Sequence, residues 1–367
     1  MSETKPILHL VCNSHIDPVW LWEWEEGLAE TLATFRAAAR FCEEFPGFIF
    51  CHNEALLYQW VEEHEPGLFA KIRSLVKQDR WHIMGGWYVQ PDCNLPSGEA
   101  FVRQSLYGKR YFLDRFGREP DVAVNLDPFG HSRGLVQILA KSGYSGYLFC
   151  RPDSSFLTLP ADDFIWKGYD GSELIAHRAS DHYNSRRGEA ARRIETWLNE
   201  HTEWSEGMLL WGIGNHGGGP SREDLQAIAA LRKRRPHIDI RHSTPEAYFH
   251  GLAKRENDLP VHAAGLNPWA VGCYTSMADI KQRYRQCENS LFFTEKIAAH
   301  AALNGLISYP LAAFRTAAEN MLFASFHDIL PGSCTAEAAQ QALQRLDHGL
   351  EILSRIRTSA FFSLLAG

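Results

Sequence analysis

His15 and Asp17 lie in the stretch ILHLVCNSHIDPVWLWEW (residues 7–24) and set an imidazole and a carboxylate two residues apart. On an extended segment such residues point to the same side, so both can converge on one point. The apolar run before them, residues 7–12, has the length and content of a buried strand, and it breaks at Asn13 and Ser14. Open α/β sheets and α/β barrels carry their chemistry just past strand ends. A nitrogen and an oxygen ligand of the kind zinc takes would meet there, with Trp20 and Trp22 close by. The simpler alternative is that His15 and Asp17 cap the turn and pair with each other, since so short a triplet also arises by chance.

Two other strand ends offer comparable groups: Asp127 with His131 in NLDPFGHS, and Asn215 with His216 in GIGNHGGGP. A fourth set, His327 and Asp328 in FASFHDILPGS, comes from a helix-compatible region. His327 precedes a Pro-Gly breaker, so its ring can project from a helix end toward the strand ends. Asp before Pro is also a common turn former, and His131 reads best as a capping or core histidine.

The elements that must position these residues follow in order. Strands are expected at 7–12, 48–52, 81–89, 122–125, 146–150 and 208–213, with a later strand or hairpin around Trp166 and 174–177. Helices are expected at 28–44, 54–78 with a break near Pro66, from Ser97-Gly98-Glu99 onward, and at 134–142 and 189–199. Polar clusters after each strand imply parallel βα units, about seven of them before Pro268. From Ala278 on, the chain is almost wholly helix-compatible: 279–304, 309–326 and 336–366. The expectation is an α/β fold, a seven-stranded parallel β/α barrel-like domain over 1–270 followed by a three-helix bundle over 271–367.

Composition narrows the function. The chain has 367 residues, 45% of them hydrophobic and 22% charged, as in folded globular proteins. Its net charge of −7, with no basic block, makes nucleic acid an unexpected partner. No stretch has the length of a membrane span, and MSETKP is followed by too brief an apolar run for a signal segment. The eight Cys are scattered without CxxC pairs, and several sit inside apolar runs, so reduced core thiols in a cytoplasmic protein are expected. Eleven Trp and 17 His suit a cleft that stacks sugars and uses a metal. Monomer and oligomer both stay open.

The motifs LVCNSHIDPVWLW, QPDCNLPSGEAFVRQ, NLDPFGHS, the CRP at 150–152, GIGNHGGGP, GCYTS and FHDILPGS, in that order, resemble glycoside hydrolase family 38, the retaining α-mannosidases. The resemblance is nearest to the bacterial and cytosolic branch. It implies a mannose-containing oligosaccharide as substrate and one zinc held by His15, Asp17, Asp127 and His327. It also implies Asp127 as nucleophile, Trp20 under the sugar ring, Arg151 orienting Asp127, and Asp328 bonded to a sugar hydroxyl. Several relatives carry Asp in the glycine-rich loop as acid, where this chain has Asn215-His216. His216 is then the candidate acid/base, with Asp92 and Asp181 as alternatives. Family members continue into β-rich C-terminal domains, so this chain is expected to be the N-terminal catalytic part. Two other readings compete with a mannosidase: another zinc-dependent carbohydrate hydrolase such as a deacetylase, and a glycan-binding remnant without catalysis.

Overall fold

Strand β1 (Ile7–Asn13) is buried beyond its first residue because both its edges and both its faces are covered. β8 (Glu206–Trp211) runs parallel along one edge, while β9 (Asp239–His242) and β2 (Phe50–His52) share the other, β9 beside its start and β2 beside its end. β3 (Trp81–Ile83) completes this sheet beyond β2. A second sheet has the order β10 (Val261–His262), β6 (Asp163–Lys167), β7 (Glu173–Arg178), β5 (Gly146–Phe149) and β4 (Val122–Asn125). This is a computed structural model, and it describes residues 5–179, 182–202 and 204–366.

The described residues therefore form ten strands in two five-stranded sheets, which corrects the expected single set of seven parallel strands. Strands β6 and β7 are antiparallel. The chain reverses between them where Gly168 N–H donates to the Ser172 carbonyl at 2.8 Å, with Gly171 at φ +87°. β9 and β10 escape sequence reading because Asp-Ile-Arg-His and Val-His carry too little apolar alternation. β3 stops at Ile83, short of the expected Val89, because Gly85 and Gly86 take φ of +76° and +81°.

Helices α1 (Trp24–Glu44), α2 (Ala55–His64), α4 (Gly98–Phe116), α5 (Leu135–Lys141), α6 (Ala190–Glu200), α7 (Arg222–Arg234) and α8 (Pro245–Ala253) each follow a strand, and α3 (Pro66–Lys77) follows α2 directly. Pro66 opens α3, where its missing N–H costs nothing. Ser97 caps α4 by accepting from Ala100 N–H, and Gly117 ends it in the left-handed region. α9 (Ala278–Leu303), α10 (Leu311–Ala324) and α11 (Ala336–Ala366) pack on one another. One apolar cluster runs from Leu10, Phe35 and Trp81 to Tyr284, Phe323 and Leu346, so the helical part shares its core with the first sheet.

The joint that matters for the site is a short backbone bridge. Asp92 N–H donates to the Ser325 carbonyl at 2.8 Å and His327 N–H to the Gln90 carbonyl at 3.3 Å. Gln104 of α4 reinforces it, donating to the Leu322 carbonyl at 2.9 Å and accepting from Val89 N–H at 3.0 Å. α4 approaches this segment so closely that a Cβ on Gly108 would lie 2.3 Å from the Gly86 oxygen and 2.4 Å from the Trp87 carbonyl carbon. Gly108→Ala should therefore destabilise despite a helix-propensity gain of about 1 kcal/mol, by a net of about 1–3 kcal/mol. Urea unfolding measures this, and a variant at least as stable as the parent would show that the helix can retreat from residues 86–87.

Candidate metal centre and active site

Three segments deliver four donors to one point. β1 hands over His15 and Asp17 just past its end, β4 hands over Asp127, and the bridge after α10 hands over His327. His15 Nε2 lies 2.8 Å from Asp17 Oδ1 and 3.8 Å from Asp127 Oδ2, and His327 Nε2 lies 3.3 Å from Asp17 Oδ1. The two imidazole rings stack with centroids 5.3 Å apart. One ligand atom from each of the four side chains lies within 4.8 Å of the others, and all four residues are buried. Both Asp17 oxygens and the Nε2 atoms of His15 and His327 lack a hydrogen-bond partner within the protein. Buried polar atoms are rarely left so. Nitrogen and carboxylate donors around one centre are what a zinc-type cation takes, so the residues present fit such an ion.

The electrostatics point the same way. Burial disfavours charge on His327, but the close contact with Asp17 and the other nearby carboxylates outweigh it and raise its pKa to about 9. Burial likewise opposes charge on His15, and the Asp17 pair still raises it. Asp17 is held down at about 2 by the two imidazoles against its burial. The carboxylates thus favour positive charge at this point, be it a proton on His327 or a cation.

Around this centre, Arg151 follows β5 and places Nη2 2.7 Å from Asp127 Oδ1. Its guanidinium packs over the Trp269 ring at 4.4 Å. Tyr183, buried in the segment after β7, donates to Asp127 Oδ2 at 2.9 Å and also contacts the Asn215 side chain. The glycine-rich loop after β8 is laced to β1's extension: Asn215 N–H donates to the His15 carbonyl at 2.6 Å and Asp17 N–H to the Asn215 carbonyl at 3.0 Å. Gly217, Gly218 and Gly219 all have positive φ, which explains the run of three glycines. Asn215 takes φ +71°, a conformation Asn tolerates better than most side chains.

The remaining sequence candidates are placed as follows. Trp20 carries a carbonyl that accepts from Thr335 N–H at 2.9 Å, and its ring meets Trp22 edge-on at 5.7 Å. Trp22 donates to the Asp17 carbonyl at 3.0 Å and stacks on His216 at 4.1 Å. His216 is half-exposed and paired with Glu26 at 2.6 Å. Asp328 is buried beside His327, and burial raises its carboxyl to about 7 against the pull of the ring. Asp92 is buried and caps a turn, accepting from the N–H groups of Asn94 and Leu95 at 3.0 and 2.6 Å. Asp181 lies outside the described residues. His131 is a core histidine, contacting the Arg151 carbonyl at 2.8 Å and the Tyr147 hydroxyl at 2.6 Å. Sequence reading missed Tyr183 and Gln90. The only signal for Gln90 was its place in the polar cluster after a strand, and Tyr183 carries none.

Comparison with known proteins agrees with the motif resemblance. Residues 5–265 match the glycosyl hydrolases family 38 N-terminal domain, and residues 269–364 match the alpha mannosidase middle domain. The chain belongs to glycosyl hydrolase family 38. It is 32% identical to alpha-mannosidase G of Dictyostelium discoideum over 345 residues, covering 90% of this chain and 31% of that protein. It is 30% identical to an alpha-mannosidase of Saccharomyces cerevisiae over 356 residues, covering 91% of this chain and 32% of that protein. The chain thus spans about a third of the length of these curated relatives. An alpha-mannosidase structure from Enterococcus faecalis superposes with a TM-score of 0.88 at 20% identity, covering 99% of this chain and 43% of that one, a likeness of fold. Among the described residues, no helix is long and apolar enough to cross a membrane.

If the four donors hold a cation, zinc at a hundredfold excess over its Kd should add about 2.7 kcal/mol of stability and raise Tm. Affinity should tighten as pH rises, because the cation displaces protons from the rings. His15→Ala and His327→Ala should each lose most of this stabilisation. Stoichiometric zinc retained by both variants, with the parent's melting shift, would contradict the ligand assignment.

Proposed function

We propose that this chain is the catalytic part of a zinc-dependent retaining α-mannosidase acting on terminal α-mannosides of oligosaccharides. The observation that carries the reading is the convergence of His15, Asp17, Asp127 and His327 on one buried point, with Arg151 on the other oxygen of Asp127. The mannosidase relatives support the substrate class. The eight free cysteines suit a reducing compartment, and we place the protein in the cytoplasm.

Zinc, when bound, supplies a Lewis-acid centre for the vicinal hydroxyls that distinguish mannose. Asp127 is the nucleophile. Arg151, through its ion pair, and the Tyr183 hydroxyl, through its hydrogen bond, aim its carboxylate. In the first step an Asp127 oxygen bonds the anomeric carbon as the glycosidic C–O bond breaks, and the leaving oxygen takes a proton from the acid. In the second step the same acid/base group removes a proton from water, which displaces Asp127 and restores its carboxylate. Retention requires the two groups to be only about 5–5.5 Å apart across the sugar. His216, in the loop laced to the Asp17 backbone and paired with Glu26, is the proposed acid/base group. Trp20 offers its ring face to the sugar, and Asp328, held by Ser333, a hydrogen bond to a hydroxyl.

Purified protein with zinc should hydrolyse an aryl α-mannoside and accumulate a covalent adduct with a fluorinated mannosyl analogue. Asp127→Asn should lose turnover by several orders of magnitude when compared at matched metal content, measured on the same sample, and azide should not restore it. Azide should rescue His216→Ala. Near-parental turnover in Asp127→Asn would sink the nucleophile assignment.

A further inference from the structure

We infer that Gln90 is the positioning residue for both imidazoles of the centre, and that its side-chain amide holds cation affinity below what the four donors could reach. The inference rests on the metal reading of that centre. Gln90 is fully buried, and three of its four polar groups are engaged with segments that carry a donor. Its side-chain oxygen accepts from Leu126 N–H at 2.7 Å, the residue before Asp127. That bond fixes the amide's direction and turns Nε2 to His15 Nδ1, 2.8 Å away. Its backbone carbonyl accepts from His327 Nδ1 at 2.9 Å. Its backbone N–H donates at 2.8 Å to Oε1 of Glu54, a buried residue at φ +67°.

The two rings receive opposite instructions. A carbonyl facing Nδ1 of His327 holds a proton there, so that Nε2 can ligate once its own proton leaves, as a ligand histidine requires. An amide N–H facing Nδ1 of His15 makes that nitrogen an acceptor and leaves the proton on Nε2, next to Asp17 Oδ1 at 2.8 Å. For His15 to ligate, its proton must move to Nδ1 and the amide must turn its oxygen from Leu126 N–H to the ring. One of those two donors then goes unpaired. A carboxylate at position 90 would accept from both at once, and its charge would make the ring a better donor.

The test is cation affinity, with zinc as the probe, read by chelator competition on the purified chain, and Tm recorded without metal as a check on folding. Gln90→Glu should bind at least about tenfold more tightly than the parent, and Gln90→Met about 10–100-fold more weakly. Damage to packing cannot tighten binding, so a gain in Gln90→Glu separates positioning from a merely structural role. Should one variant fail to fold, the other decides. Gln90→Glu binding no tighter than the parent, or Gln90→Met binding as tightly, overturns the inference. A parent chain that takes up no zinc overturns the metal reading, and this inference with it.

Discussion

Two carboxylates and two imidazoles face one another in a space closed to bulk water, and that arrangement is stable only if charge is balanced there. Two like charges about 4 Å apart repel by about 4 kcal/mol at an effective dielectric of about 20. Asp17 is fully buried and Asp127 only 8% exposed, so solvent cannot relieve them. A proton on His327 offsets that charge, as a cation held by the four side chains would. Arg151 balances the oxygen of Asp127 that points away from the centre. The neighbouring structure answers this constraint: the Gln90 carbonyl faces one ring and its side-chain amide the other.

The centre is also where the α/β part and the helical part are held together. His327 comes from after α10, while the other three donors follow β1 and β4. The backbone bridge between residues 90–92 and 325–327 and the apolar cluster shared with α9–α11 keep that fourth donor in place without a cation. A preformed centre costs little reorganisation on binding, which is what an electrostatic catalyst needs.

Much of this was legible in the sequence because it rests on local rules. Apolar runs ending in polar residues gave β1, β4 and β5 within a residue, and Pro66 marks a helix boundary. The His15-x-Asp17 spacing reports a shared side of an extended segment, and the four expected donors do meet. What stayed hidden depends on contacts between distant residues. Neither the antiparallel β6–β7 pair nor the division into two sheets follows from alternation alone. Tyr183 has no motif, since only the fold of the segment after β7 brings it to Asp127. Gln90 looked like one more polar residue after a strand, and its role emerges only when His15, Leu126 and His327 are seen around it.

The central claim is that the cluster is a cation site built from nitrogen and oxygen alone. X-ray absorption at the zinc edge of the metal-loaded chain tests it most directly, because eight free thiols offer the obvious competing ligands. The account predicts two imidazole nitrogens at about 2.0–2.1 Å and carboxylate oxygens at about 2.0–2.2 Å. A shell containing sulfur at about 2.3 Å, or one without imidazole scattering, would contradict it.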